Sequence, residues 1–372
     1  MKDWHPAPFD PITIEGVDIR NRFLRSATWD SSATDGGDVT DASVRIIEKV
    51  ARGGVGLIVT GYAYVSEHGK AAMRQLGICH DRHIGGMRRL VSAAHDHGAR
   101  IALQIAHAGI NLGLLGRTGR VALAPSKMED APSQHSAMNS REIEEIVRDF
   151  GAAAARGKEA GFDAVQLHGA HGYLMSQFLS PLTNRRSDEW GGSPERRRRF
   201  HVEVVRSVRR AVGEGYPIWM KMGLQDGADG GLEIGEGLEV LRVLVAEGLS
   251  AVETSAGLFT RAGRVHKPED DECLYFRDDS ARAKRVVEIP VMLVGGIRSL
   301  SMAEDILRSG DADMVSMSRP LIREPDLIAR WQRGDPRPAE CIRCSKCFGF
   351  GIRGKPLECA QLHSPSEGLR AG

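Results

Sequence analysis

Residues 166–200 read QLHGAHGYLMSQFLSPLTNRRSDEWGGSPERRRRF. The stretch opens on the end of a short apolar run, AVQLH, that has the length and the β-branched character of a buried strand. His168, His171 and Tyr173 stand at or just past its C-terminal end. In a barrel of parallel strands that end is the chemical one. Two imidazoles and a phenol there can hold a polar oxygen and hand over a proton.

Working outward, similar runs recur along the chain. They are RFLRSA near 22–27, GLIVTG near 56–61, IALQIA near 101–106 and AVQLH near 164–168, followed by IWMKM near 218–222, AVETS near 251–255, VMLVG near 291–295 and DMVSM near 313–317. Helical patterns separate them. Ile143, Ile146, Val147, Phe150 and Ala154 form one apolar stripe, with Ser140 as its expected N-cap. Strands alternating with helices pair in parallel through right-handed crossovers. Eight such units predict an α/β fold, a (β/α)8 TIM barrel, over residues 1–335. A short Cys-rich C-terminal tail follows at 336–372. Long loops are expected at 107–139, 174–193 and 256–278, all over the catalytic face.

The composition excludes several classes. The 372 residues are 41% hydrophobic and 27% charged, with a formal net charge of +1. Such a balance gives no bulk field for nucleic acid or acidic membrane. No apolar run approaches the roughly 20 residues of a membrane helix. The start, MKDWHPAPFDP, lacks the apolar core of a signal peptide. A cytoplasmic location is the expectation.

Further residues suit a ligand. Gly295 and Gly296 follow the seventh strand; Ser318 and Arg319 follow the eighth. In barrels these two loops commonly build a phosphate site. Lys221 and Gln104 lie inside strands, where a charge is costly unless it meets a ligand or partner. The alternation of IWMKM could instead aim Lys221 outward. Arg196–Arg199 read as the start of a solvated helix with Pro194 in its first turn. Gly349, Gly351 and Gly354 match a dinucleotide fingerprint, but with no strand before them the match reads as accidental.

Six cysteines do not make a disulfide framework in a chain of this size. Cys79 and Cys273 read as ordinary thiols. Cys341, Cys344, Cys347 and Cys359 are spaced C-x2-C-x2-C-x11-C. Four thiolates suit an iron–sulfur cluster or a structural zinc, and an empty site stays open as a third reading.

The 168–200 stretch resembles the signature of the old yellow enzyme family of FMN-dependent NAD(P)H:flavin oxidoreductases. NRFLRSAT, TGYAYV, LQIAHAG, VGGI and SRPLI resemble that family too, in order, over roughly residues 8–335. The cysteine tail is similar to that of the trimethylamine dehydrogenase and 2,4-dienoyl-CoA reductase branch, whose members carry a [4Fe–4S] cluster there and continue into nucleotide-binding domains. With the sequence ending at Gly372, no such domains are expected here.

The resemblance implies FMN as cofactor and NADH or NADPH as electron donor. Ser26, Ala27, Thr28 and Gly61 would lie by the flavin, and Gln104 at its pyrimidine edge. Lys221, where many relatives have Arg, would sit near N1 and O2. Gly295, Gly296, Ser318 and Arg319 would hold the phosphate. His168 and His171 would bind the carbonyl oxygen of an unsaturated substrate, which takes hydride from flavin N5 and a proton from Tyr173. Ile110 and Trp190 depart from the frequent Arg and Tyr. Two alternatives stay open: a cluster-linked dehydrogenase passing electrons to a partner protein, and a non-redox barrel with a zinc tail. A homo-oligomer is also left open.

Overall fold

A computed structural model describes residues 6–129, 131–258 and 274–363. Its eight barrel strands are Phe23–Arg25, Leu57–Val59, Arg100–Ala106, Ala164–Gly169, Ile218–Gly223, Ala251–Ser255, Val291–Val294 and Met314–Met317. Each pairs in parallel with its neighbours in sequence. Leu24 of the first stands opposite Ser316 of the eighth, so the sheet closes into a ring. Every strand coincides with a segment read from the sequence to within one residue beyond its ends, and the fold is the expected (β/α)8 barrel. Cys273 and most of the loop expected at 256–278 lie outside the described residues.

Helices cover the ring. The third, Ser140–Ala160, buries its predicted stripe from Ile143 to Ala154. Its cap is Asn139, one residue earlier than expected. Asn139 accepts from the Glu142 backbone N–H while the Glu142 carboxylate accepts from that of Asn139. The helix Pro194–Val212 begins at its proline, but Arg197 is not solvated. It is buried, forks onto Glu236 through two 2.7 Å bonds and donates to the Leu179 carbonyl. Within the segment expected as a loop at 174–193, Leu174–Leu179 form a fully buried helix. The 107–139 segment carries a small parallel pair, Ala122–Ala124 with His135–Ala137.

The barrel interior is layered by the two-residue period of its strands. The lowest layer is apolar: Leu24, Leu57, Ala102, Ala164, Trp219, Ala251, Met292 and Met314. An antiparallel hairpin, Ile12–Ile14 with Val17–Ile19, packs Ile14 and Ile19 into it and closes that end. Two residues further along the strands stand Ser26, Gln104, Gln166, Lys221, Glu253 and Ser316, all buried and all polar. Lys221 therefore points inward. This polar layer floors a cavity whose walls start two residues further on, at Thr28, His168, Ser255 and Ser318.

Among the histidines buried outside this stack are His107 and His201. Burial pushes the imidazoles of His107 and His201 down to about 3. The unfolded chain takes up these protons below the ordinary 6.5, while the folded chain refuses them until about 3. Stability from this source is full above pH 6.5 and is lost as pH falls from there toward about 3. Each group costs roughly 1.4 kcal/mol per pH unit in that window. Urea unfolding at pH 5.5 should show stability roughly 3 kcal/mol lower than at pH 7.5. An unchanged midpoint would contradict this assignment.

Candidate active site

A cavity of about 590 Å³ opens at the C-terminal face of the barrel. Most residues expected in a site meet there. The first strand and its loop contribute Ser26, Ala27 and Thr28, the third Gln104, and the fifth Lys221. The fourth contributes His168, His171 and Tyr173; the seventh and eighth bring Gly295 and Ser318.

Three expected residues do not line it. Gly61 sits where the second strand breaks before the short Ala63–Tyr64 segment; a Cβ there would fall 2.8 Å from the Thr28 carbonyl oxygen, so glycine lets the Thr28 loop pass. Gly296 lies one residue beyond Gly295, and both have positive φ, +82° and +112°. Arg319 turns away from the cavity. Its guanidinium donates to the Arg343 carbonyl at 3.3 Å and to Ser345 Oγ at 3.1 Å, because the tail docks over the end of the eighth strand.

The cavity floor was only partly foreseen. Lys221 Nζ lies 2.7 Å from Glu253 Oε1 and donates to Ser26 Oγ at 2.8 Å. Glu253 also accepts from Ser26 Oγ at 2.8 Å, Ser316 Oγ at 2.7 Å and Gln166 Nε2 at 3.0 Å. Gln104 Nε2 in turn donates to Gln166 at 2.6 Å. Burial pushes the Glu253 carboxyl up, but Lys221 and the hydroxyl donors outweigh it and hold it below the ordinary carboxylate range. Lys221 has thus met a partner anion and is one half of a buried ion pair.

On the wall, the rings of His168 and Tyr173 are 4.7 Å apart and those of His168 and His171 5.0 Å. Burial, then the nearby His171 and Lys221, hold His168 well below the usual imidazole range, so it is neutral. Its Nδ1 is buried with no hydrogen-bond partner among the described residues. His171 takes a left-handed backbone, φ +61°, fixed by its N–H to the Ala256 carbonyl, and its Nε2 is 2.7 Å from Ser255 Oγ. Burial pushes Tyr173 up to about 12, and a hydrogen bond from Tyr62 pulls the other way. Tyr62, whose ring meets Tyr173 edge-on at 5.4 Å, is a member of the site that the sequence reading passed over.

The tail packs onto the barrel beside this wall. Leu357 N–H donates to the Asp30 carbonyl, and Phe348 lines the cavity. Cys347 and Cys359 are buried, Cys341 is partly exposed and Cys344 exposed. No three of these sulfurs lie within 4.8 Å of one another, wider already than a tetrahedral zinc requires. The apparent dinucleotide fingerprint falls on the short helix Phe348–Ile352, which no strand precedes.

The residues fit FMN. An orphaned imidazole nitrogen, amide, hydroxyl and ammonium groups converge on a cavity of ligand size, and left-handed glycines stand at its phosphate-type end. No described helix is long and apolar enough to cross a membrane.

A profile of the NADH:flavin oxidoreductase / NADH oxidase family matches residues 8–337. The chain is 36% identical over 360 residues to a NADH oxidase of Thermoanaerobacter brockii, covering 96% of this chain but 55% of that one. It therefore spans about half the length of that relative. It is 37% identical over 324 residues to a NADPH dehydrogenase of Geobacillus sp. (strain WCH70), covering 85% of this chain and 91% of that one. The structure of an old yellow enzyme homologue from Zymomonas mobilis superposes with a TM-score of 0.77 at 25% identity, covering 91% of this chain and 95% of that one.

Proposed function

The chain belongs to the NADH:flavin oxidoreductase / NADH oxidase family, and on that premise we propose that it is an FMN-dependent NAD(P)H oxidoreductase reducing the C=C bond of an α,β-unsaturated carbonyl compound. The observation that carries this reading is the meeting of Tyr173, His168 and His171 over a cavity floored by Lys221. FMN, when bound, supplies the hydride chemistry. Ser26, Ala27, Thr28, Gln104 and Lys221 would hold its ring, and Gly295 with Ser318 its phosphate; Gly61, Gly296 and Arg319 would act from the neighbouring shell.

The remaining work falls to the side chains. A neutral His168 can donate an N–H to the substrate oxygen, and Ser255 holds the His171 ring beside it. Donors aimed at that oxygen stabilise the negative charge that gathers there as hydride adds to the β-carbon. Tyr173, protonated at neutral pH, gives its proton to the α-carbon, and Tyr62 stands behind it to replace that proton.

His168→Ala and His171→Ala should each weaken a phenolate-type ligand that mimics the enolate, by roughly 2–10-fold per lost hydrogen bond. The long-wavelength charge-transfer band of the flavoprotein on titration with such a ligand measures it. If both variants titrate like the parent, the oxygen is bound elsewhere.

A second reading has its own support. The backbone turns left-handed at Arg343 and Ser345, one residue in each interval between Cys341, Cys344 and Cys347. Such turns cost of order 1–3 kcal/mol each, and no three of the four tail sulfurs lie within 4.8 Å of one another. A [4Fe–4S] cube, which holds its thiolates on separate iron corners and so farther apart than zinc does, suits that arrangement better. It would make the tail a route for electrons to a partner protein. Anaerobically purified protein containing FMN but neither iron nor acid-labile sulfide would rule it out.

A further inference from the structure

Away from the cavity and the tail, three metal-type side chains meet at the rim of the C-terminal face. Glu67 opens the turn Glu67–Gly69 after the second strand, and Cys79 and His80 lie just before the helix Arg82–His95. Tyr64 brings the two segments together. It bridges to Gly77, its N–H donates to the Leu76 carbonyl, and its own carbonyl accepts from Ile78.

We propose that Glu67, Cys79 and His80 form a zinc site. Cys79 Sγ and His80 Nε2 each lie 3.6 Å from the same oxygen, Glu67 Oε1, and all three atoms fall within 4.8 Å of one another. Tetrahedral zinc with ordinary Zn–S, Zn–N and Zn–O bonds places sulfur and oxygen about 3.6 Å apart, and nitrogen and oxygen about 3.4 Å. The Cys79 thiol donates to Glu67 across its 3.6 Å, but the same distance is too long for an N–H···O hydrogen bond between His80 and Glu67. An ion between them accounts for it.

The ligand set favours zinc over magnesium or calcium, since those cations take oxygen ligands and this site offers a sulfur and an imidazole. One thiolate and one carboxylate balance the two charges of the ion, and Cys79 gives up its thiol proton to solvent on binding. Glu67 and His80 are 53% and 48% exposed in their side chains, which leaves an entry path and room for water as fourth ligand. Arg82, at the start of the adjoining helix, is drawn toward Asp38 at 3.8 Å. Arg120 donates to the Glu67 carbonyl and fixes the turn.

The consequence is mechanical. Gly69, in the same turn, packs so close to the His107 ring that a Cβ would lie 2.4 Å away, and its carbonyl accepts from Ala108 N–H. A metal holding Glu67 to Cys79 and His80 would brace the loop after the third strand, which forms one side of the cavity mouth.

The test uses the full-length flavoprotein, stripped with chelator and titrated with Co²⁺, beside Cys79→Ser and His80→Gln. The parent should take up one more equivalent of Co²⁺ than Cys79→Ser, with a thiolate-to-cobalt charge-transfer band that the variant lacks. Because Cys79→Ser keeps all four tail cysteines, that difference reports only this site. His80→Gln should weaken the same band's titration by at least about 10–100-fold, the loss that removal of an outer-shell partner alone causes. Zn²⁺ should displace the cobalt and raise the thermal midpoint of the parent but of neither variant. Equal stoichiometry in parent and Cys79→Ser, or no uptake by either, would overturn the proposal.

Discussion

Tyr173→Phe should keep its flavin, accept hydride from NAD(P)H at the parental rate, and lose about 10²–10⁴-fold in turnover of an enone, the usual contribution of a positioned general acid. The split between half-reactions follows from where the phenol stands. Tyr173 is on the wall with His168 and His171, and it takes no part in the Lys221–Glu253 floor. Held up to about 12, it stays protonated across the neutral range, so the parental rate should be flat there with respect to this group. Tyr62 moderates the loss. Its hydroxyl lies within reach of Tyr173, and a water bound to it can stand in for the missing phenol. The lower end of the range is therefore expected, and Tyr62→Phe combined with Tyr173→Phe should reach the upper end. Stopped-flow separation of the two half-reactions decides it. An unaltered oxidative half-reaction in Tyr173→Phe removes this residue from the chemistry.

Glu253→Ala should destabilise the protein by roughly 3–5 kcal/mol, the cost of leaving one partner of a buried ion pair uncompensated. The alanine would strand Lys221 and also the buried donors of Ser26, Ser316 and Gln166. Lys221→Met combined with Glu253→Leu should recover much of that loss, because the charge and its counter-charge leave together. Urea unfolding of the flavin-free protein measures both. If Glu253→Ala unfolds at the parental midpoint, the pair does not hold the floor. The same experiment bears on tuning. A cation near a bound flavin favours its reduced, negatively charged form. With Glu253 beside it, Lys221 offers a dipole in place of a full charge.

The barrel was readable because buried parallel strands are short β-branched runs and their helices carry a 3.6-residue stripe. The reacting wall was readable because two histidines and a tyrosine cluster at one strand end. Glu253 was not, although it sits in plain view in AVETS. Its partners come from the first, fourth, fifth and eighth strands, and only the closed register shows that these alternate positions share a layer. The buried helix Leu174–Leu179 was hidden for a related reason: with no exposed face it has no period to read. Arg319 was placed by its position after the eighth strand, as barrels suggest, but its direction is set by a tail whose docking no local pattern announces. Tyr62 escaped notice because it lies beyond the break in the second strand at Gly61.

The hairpin wedged into the lower end of the barrel has a kinetic meaning. With Ile14, Ile19 and Trp219 stoppering that end, the cavity is reached from the C-terminal face. An electron donor and an electron acceptor that use this cavity share a doorway and a seat, so one must leave before the other arrives. Parallel lines in double-reciprocal plots, and each reactant inhibiting the other at high concentration, are the traffic pattern such a room imposes.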